Sequence, residues 1–206
     1  FPPTFVQQLE RILINGNHGD FITCRDGLAI VQYFVECNPR IEIEISTNAS
    51  GQPKIWSELG KIPNVRVLFR IDGLEDTHHL YRQDTDFNKI IQNAQAYIAS
   101  GGYAIWKMIK FDHNQHQIDQ ARELSKQLGF SRFDIVDAGR NVMPVFTSDR
   151  RLSHVIGDYR GPVEFDVVYK QFLEIDSTDA IKSAPSRKID CYADRNKEIY
   201  VTANGE

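Results

Sequence analysis

The chain has 206 residues, 41% of them apolar, with 24 basic against 28 acidic side chains and a formal net charge of −4. That length supports one globular domain with its own core, and the acidic balance argues against general nucleic-acid binding through electrostatics. No stretch approaches the roughly 18 consecutive apolar residues of a membrane helix, so neither nucleic acid nor membrane is expected as a partner. The 3 cysteines, Cys24, Cys37 and Cys191, are too few and too scattered for a disulfide framework, which points to a reducing cytoplasmic setting. None sits in a CxxC or CxxxC pair.

Apolar runs of strand length recur along the chain, at 11–15 (RILIN), 41–46 (IEIEIS), 65–71 (VRVLFRI), 103–110 (YAIWKMIK) and 132–136 (RFDIV). Helical periodicity fills the gaps. It runs over 26–37, ended by Asn38-Pro39, over 86–100, closed by Gly101-Gly102, and over 115–128, closed by Gly129. Strand and helix alternating in this way predict βαβ units and a parallel sheet. Five strands are too few for a complete eight-fold barrel and suit an open barrel or a doubly wound sheet.

The strands are two-faced. Ile41, Ile43 and Ile45 alternate with Glu42, Glu44 and Ser46; Val65, Val67, Phe69 and Ile71 alternate with Arg66, Arg70 and Asp72. Successive side chains point to opposite faces, so the oily face belongs against helices and the charged face lines a polar concave side. Glu42 and Glu44 are expected to pair there with Arg66 and Arg70. After about residue 137 the alternation stops. Prolines at 144, 162 and 185 and many charges predict a linker with irregular packing, followed by a hairpin within 188–206 that turns at DRNK. The chain opens at FPPTF without Met and stops at YVTANGE, the pattern expected of a piece of a longer protein.

Ligands of open α/β sheets and barrels sit beyond the carboxyl ends of the strands. Those ends read Asn15-Gly16-Asn17-His18-Gly19-Asp20, Ser46-Thr47-Asn48, Arg70-Ile71-Asp72-Gly73, Lys110-Phe111-Asp112-His113-Asn114 and Asp137-Ala138-Gly139-Arg140. Glycines let backbone approach a ligand closely, Ser-Thr-Asn offers donors and acceptors to a sugar diol, and Asp20 suits an ammonium. Polar loops alone are ordinary; five in a row favour a site. Asp112, His113, His116 and Asp119 raise a metal site, but Asp or Asn ahead of a helix more often caps it. His78 and His79, side by side, are expected at the surface or as caps. GNHGD is not the G-x-G-x-x-G of a dinucleotide fold.

NGNHGD, ISTNAS and FRIDGLEDTHHLYR, with DTDFNKIIQNAQAYIASGG behind them, resemble the radical S-adenosylmethionine (radical SAM) superfamily, in its branch with a SPASM-type auxiliary iron–sulfur domain. The resemblance spans about residues 12–140, with a trace at 185–206. It implies a partial (β/α)6 TIM-like barrel over 1–140 that lacks the first strand and cluster loop, a linker over 141–184, and the start of a SPASM-like domain over 185–206. It implies SAM contacts from Gly16, Asn17, Gly19 and Asp20 to the amino group and from Ser46, Thr47 and Asn48 to the ribose. Arg70 and Asp72 would meet the SAM carboxylate or the substrate, with Lys110 and Asn114 as further candidates. Phe21 stands where the family usually has proline.

The family's C-x3-C-x2-C, which holds a 4Fe–4S cluster, is absent from the sequence. Gly205 follows Cys191 after thirteen intervening residues, in keeping with the C-x9–15-G-x4-C of the auxiliary domain, so Cys191 is implied as a cluster ligand of a full-length protein. The chemistry implied is reductive cleavage of SAM to a 5′-deoxyadenosyl radical that abstracts a substrate hydrogen, with an external electron donor. The chain alone is expected to be inactive in it. The substrate, whether peptide, protein or small molecule, is not readable. Self-association through an exposed barrel edge is expected. Two rival readings are a cluster-less binding or scaffold module and an unrelated α/β-barrel enzyme using Asp20, Asp72 and Lys110.

Overall fold

The computed structural model describes residues 1–16, 19–138, 142–147, 151–157 and 198–201. A short helix Pro3–Val6 (α1) leads into strand Arg11–Ile14 (β1), a 3-10 turn Phe21–Thr23, helix Gly27–Cys37 (α2) and strand Glu42–Thr47 (β2). Helix Pro53–Gly60 (α3), strand Val65–Arg70 (β3), a helical turn His78–Tyr81 (α4), helix Phe87–Ala99 (α5) and strand Tyr103–Lys110 (β4) follow. A 3-10 turn Gln115–Gln117 opens helix Ile118–Gln127 (α6), which precedes strand Arg132–Asp137 (β5). The last elements are strands Val142–Phe146 (β6), Leu152–Gly157 (β7) and Glu198–Val201 (β8).

One parallel sheet runs in the order β5-β4-β3-β2-β1-β8. The α/β class and the five parallel strands agree with a partial TIM-like barrel. Two features differ from expectation. The stretch after residue 137, expected as irregular linker, contains the antiparallel pair β6–β7. Pro144 fits there because a two-stranded ribbon has edge positions that need no donor. The edge beside β1, expected to be open for self-association, carries β8, with Arg11–Ile14 in register against Glu198–Val201. The second arm of the expected tail hairpin is thus a strand of the main sheet. Its first arm, and Cys191 within it, lie outside the described residues.

The two-faced strands explain the layering. Ile43, Ile45, Val65, Val67 and Phe69 are buried against the helices. On the opposite face Glu42 takes both Arg11, at 3.0 Å, and Arg66, at 2.7 Å. The other expected partner differs: Arg70 donates through Nε to Ser46 Oγ at 2.7 Å rather than pairing with Glu44. Under the sheet an aromatic band runs from Trp56 through Phe69 to Tyr97 and Phe130, then to Trp106 and Phe133, with ring centroids 5.3–5.9 Å apart. Each polar tip is satisfied: Tyr97 Oη donates to Val65 O, Trp106 Nε1 to Ile71 O and Trp56 Nε1 to Ser50 O. Burial raises the Tyr97 phenol well above its ordinary value.

Helix α3 was not legible as a helix, although Pro53 at its first turn is a start signal. It packs on α5 so closely that a Cβ on Gly60 would run into the Tyr97 carbonyl oxygen, with Ser100 Cβ at 2.9 Å. Gly60→Ala is expected to cost about 1–3 kcal/mol, measured as a lower urea midpoint at unchanged m-value.

Candidate functional site

At the carboxyl ends of the strands lies a cavity of about 400 Å³, within the roughly 300–1,000 Å³ of small-molecule sites. The loop after β1 supplies Asn15, Gly16, Gly19 and Asp20; the end of β2 supplies Ser46, Thr47 and Asn48. Arg70, Arg82 and Ile109 complete the wall. Asn17 lies outside the described residues.

The glycine loop turns on Gly16, whose φ is +60°, a left-handed value that favours glycine. A Cβ there would sit 2.5 Å from Gly19 O. Asp20 then caps the 3-10 turn, its carboxylate accepting from Ile22 N–H at 3.2 Å. Phe21 is buried in the core. Asp20 also reaches across to β2. Its Oδ1 accepts from Thr47 Oγ1 at 2.7 Å and its Oδ2 from Asn48 N–H at 2.6 Å. A carboxylate has about four acceptor directions, so one remains, on Oδ2. Asp20 therefore ties two loops together and has little left for a ligand.

Thr47 is used up in the same way. Its hydroxyl donates to Asp20 and accepts from Ala49 N–H at 2.9 Å. Ala49 itself has φ of 56°, and Asn93, buried beneath it, donates to its carbonyl at 2.8 Å. Ser46 Oγ accepts from Arg70 and keeps its hydroxyl proton; the Asn48 amide NH₂ makes no hydrogen bond among the described residues.

Arg82 was not singled out from the sequence. Its Nε donates to Asp72 Oδ2 at 2.6 Å, its Nη1 donates to Asn48 Oδ1 at 2.8 Å, and its guanidinium lies over the Tyr81 ring at 4.9 Å. Three restraints aim it at the cavity wall. The signal was the arginine in THHLYR, which becomes meaningful only once Asp72 is known to face it. Asp72 is fully buried, outside the cavity, and its Oδ1 accepts from Ile109 N–H at 2.6 Å. Asp72 thus holds Arg82 and β4.

Lys110 and Asn114 also lie away from the cavity. Lys110 pairs with Asp137. Asn114 is buried, accepting from Phe111 N–H and donating to the Asp72 and Ile109 carbonyls. Of Asp20, Asp72 and Lys110, the residues of the third reading, only Asp20 lines the cavity. His78, expected at the surface or as a cap, is buried; its Nδ1 accepts from Asp72 N–H at 3.1 Å. Burial, with the nearby Arg82 and His79, lowers its pKa from 6.5 to about 4. His113 stacks on Phe111, and burial and the neighbouring His154 lower its pKa. No group of three or more His, Cys, Asp or Glu side chains among the described residues is placed to hold a metal ion. The β6–β7 hairpin packs Val145 and Ile156 on Phe111 near Tyr81 and Ile109, and His154 Nε2 lies 2.7 Å from Leu80 O.

No family model and no curated protein matches the chain. Solved structures do. SuiB of Streptococcus suis bound to S-adenosylmethionine superposes with a TM-score of 0.60 at 11% identity, over 100% of this chain and 52% of that one. SuiB bound to its precursor peptide SuiA gives 0.56 at 11% identity, over 95% and 47%. Tagged anSMEcpe with bound AdoMet gives 0.54 at 13% identity, over 85% and 50%. The chain thus shares the fold of proteins solved with S-adenosylmethionine, and it spans about half the length of each.

Proposed function

We propose that this chain is the SAM-holding part of a radical SAM enzyme. The observation that carries the reading is the cavity at the ends of β1–β3, with a left-handed glycine loop on one side and Arg82, held by Asp72, on the other. The methionine end of SAM fits between them: its ammonium toward Oδ2 of Asp20 and the loop carbonyls, its carboxylate toward Arg82. A guanidinium suits a carboxylate because its planar donors match two oxygens. For the ribose, Ser46 and Asn48 keep free donors, whereas Thr47 is engaged in holding the loop. SAM supplies the 5′-deoxyadenosyl group; the chain orients it and shields it from water.

The residues present do not fit a 4Fe–4S cluster. The sequence has no C-x3-C-x2-C, and the described residues include no metal-holding group. No reductive step is assigned to this chain. The SuiB complex with a precursor peptide makes a peptide the first substrate class to test.

The test is calorimetric titration of SAM into the chain. Wild type is expected to bind, Arg82→Gln to bind about 10–100-fold more weakly, and Lys126→Gln, on the exposed face of α6, to match wild type. No SAM binding by wild type, or equal binding by Arg82→Gln, would contradict the reading.

A further inference from the structure

The concave face carries two neighbouring cations: Arg70, at the wall of the cavity, and Lys107, outside it. Arg70 on β3 and Lys107 on β4 are register partners across the ladder, on strands about 4.8 Å apart. Both point to the face that Glu42, Arg66 and Ile109 share. Like charges directly opposed repel, and here the neighbourhood does little to neutralise them. The Arg70 side chain forms one hydrogen bond, Nε to Ser46 Oγ, and its terminal nitrogens form none among the described residues. The Lys107 ammonium forms no ion pair or hydrogen bond among the described residues.

The surrounding carboxylates bond to other cations or are set back, none of them bonded to Arg70 or Lys107. Asp134, the register partner of Lys107 on β5, accepts both Nε and Nη2 of Arg132 at 3.0 and 2.7 Å. Asp72 is taken by Arg82, which adds a third positive charge beside Arg70. Asp72 and, two pleats deeper on β2, Glu44 attract Arg70 through space without bonding to it. Burial and Arg82 together lower the Arg70 pKa from its ordinary value. The two cations thus stand together as an anion receptor, one step along the face from Ile109.

We infer that Arg70 and Lys107 bind a carboxylate of the second substrate, next to the methionine end of SAM. The inference rests on the SAM reading for what lies beside the site, but not for the site itself. A fork of guanidinium donors with an ammonium alongside fits the two oxygens of a carboxylate. The pair stands on adjacent strands of one sheet, so the two backbone positions are fixed before a ligand arrives.

The test is an NMR titration of the SAM-saturated chain with N-acetylglutamate methylamide, with its glutamine counterpart and with acetate. The glutamate probe is expected to bind and the glutamine probe not to. Lys107→Gln should weaken the glutamate probe about tenfold while leaving SAM affinity unchanged, since Lys107 lies outside the SAM cavity. Tighter binding of the glutamate probe than of acetate identifies an acidic side chain of a peptide; equal binding identifies a small free acid. Equal binding of the glutamate and glutamine probes, or a glutamate affinity indifferent to Lys107→Gln, would overturn the inference. If SAM fails to bind yet the glutamate probe still depends on Lys107, the SAM reading fails and the anion site stands.

Discussion

Asp72→Ala is expected to destabilise the chain by about 3–5 kcal/mol, the range for removing one partner of a buried ion pair. Asp72 is 0% exposed and the Arg82 side chain only 19%, so the stranded guanidinium recovers little hydration. The same substitution leaves Ile109 N–H without its acceptor. If the stranded cation is the main cost, Asp72→Ala with Arg82→Ala should be less destabilised than the sum of the two single changes. Urea midpoints of the four proteins measure the coupling. Strict additivity would mean that Asp72 does not act through Arg82, and the account of how Arg82 is aimed would fall with it.

Acid is expected to cost the chain about 3 kcal/mol through His78 alone. Its pKa is about 4 in the fold against an ordinary 6.5, and each unit of difference is worth about 1.4 kcal/mol. The unfolded chain binds the proton first, so stability rises with pH across this window. The contribution is complete above about pH 6.5, is lost as pH falls toward 4, and changes no further below that. His78→Asn keeps an acceptor for Asp72 N–H and removes the titrating ring. The difference in unfolding free energy between the two proteins, followed from pH 7 to pH 4, isolates this residue from carboxylates that titrate in the same range. A difference that stays constant with pH would contradict the buried, neutral state of His78.

Much of the fold was legible because two periods alternate cleanly along the chain. Strands β1 to β5 and helices α2, α5 and α6 fall within a few residues of their expected bounds. IEIEIS over 41–46 shows why: its isoleucines pack under the sheet and its glutamates face the concave side. The parts that were not legible depend on partners far away in sequence. EIYV at 198–201 reads as a strand, but nothing local says that it pairs with Arg11–Ile14. The β6–β7 hairpin was hidden by Pro144 and by a weak alternation.

The site divides along the same line. Gly16, Gly19, Asp20, Ser46, Thr47, Asn48 and Arg70 were legible from strand ends and do line one cavity. Asp72, Lys110 and Asn114 came from strand ends as well, but Asp72 and Asn114 are buried and bonded to Arg82 and the β4 turn, and Lys110, paired with Asp137, is not in the cavity wall. Sequence position predicts that a residue lies near a mouth; it does not predict whether a neighbour has already used its hydrogen bonds. Arg82 is the converse case. It stands on a helical turn rather than a strand end, and a buried carboxylate ten residues upstream turns it toward the cavity.

The most direct test of the central claim is a crystal structure of the chain with SAM. The account predicts the methionine end between the Gly16–Gly19 loop and Arg82, with the ribose against Ser46 and Asn48. SAM bound anywhere else, or an empty cavity in crystals grown at saturating SAM, would contradict it.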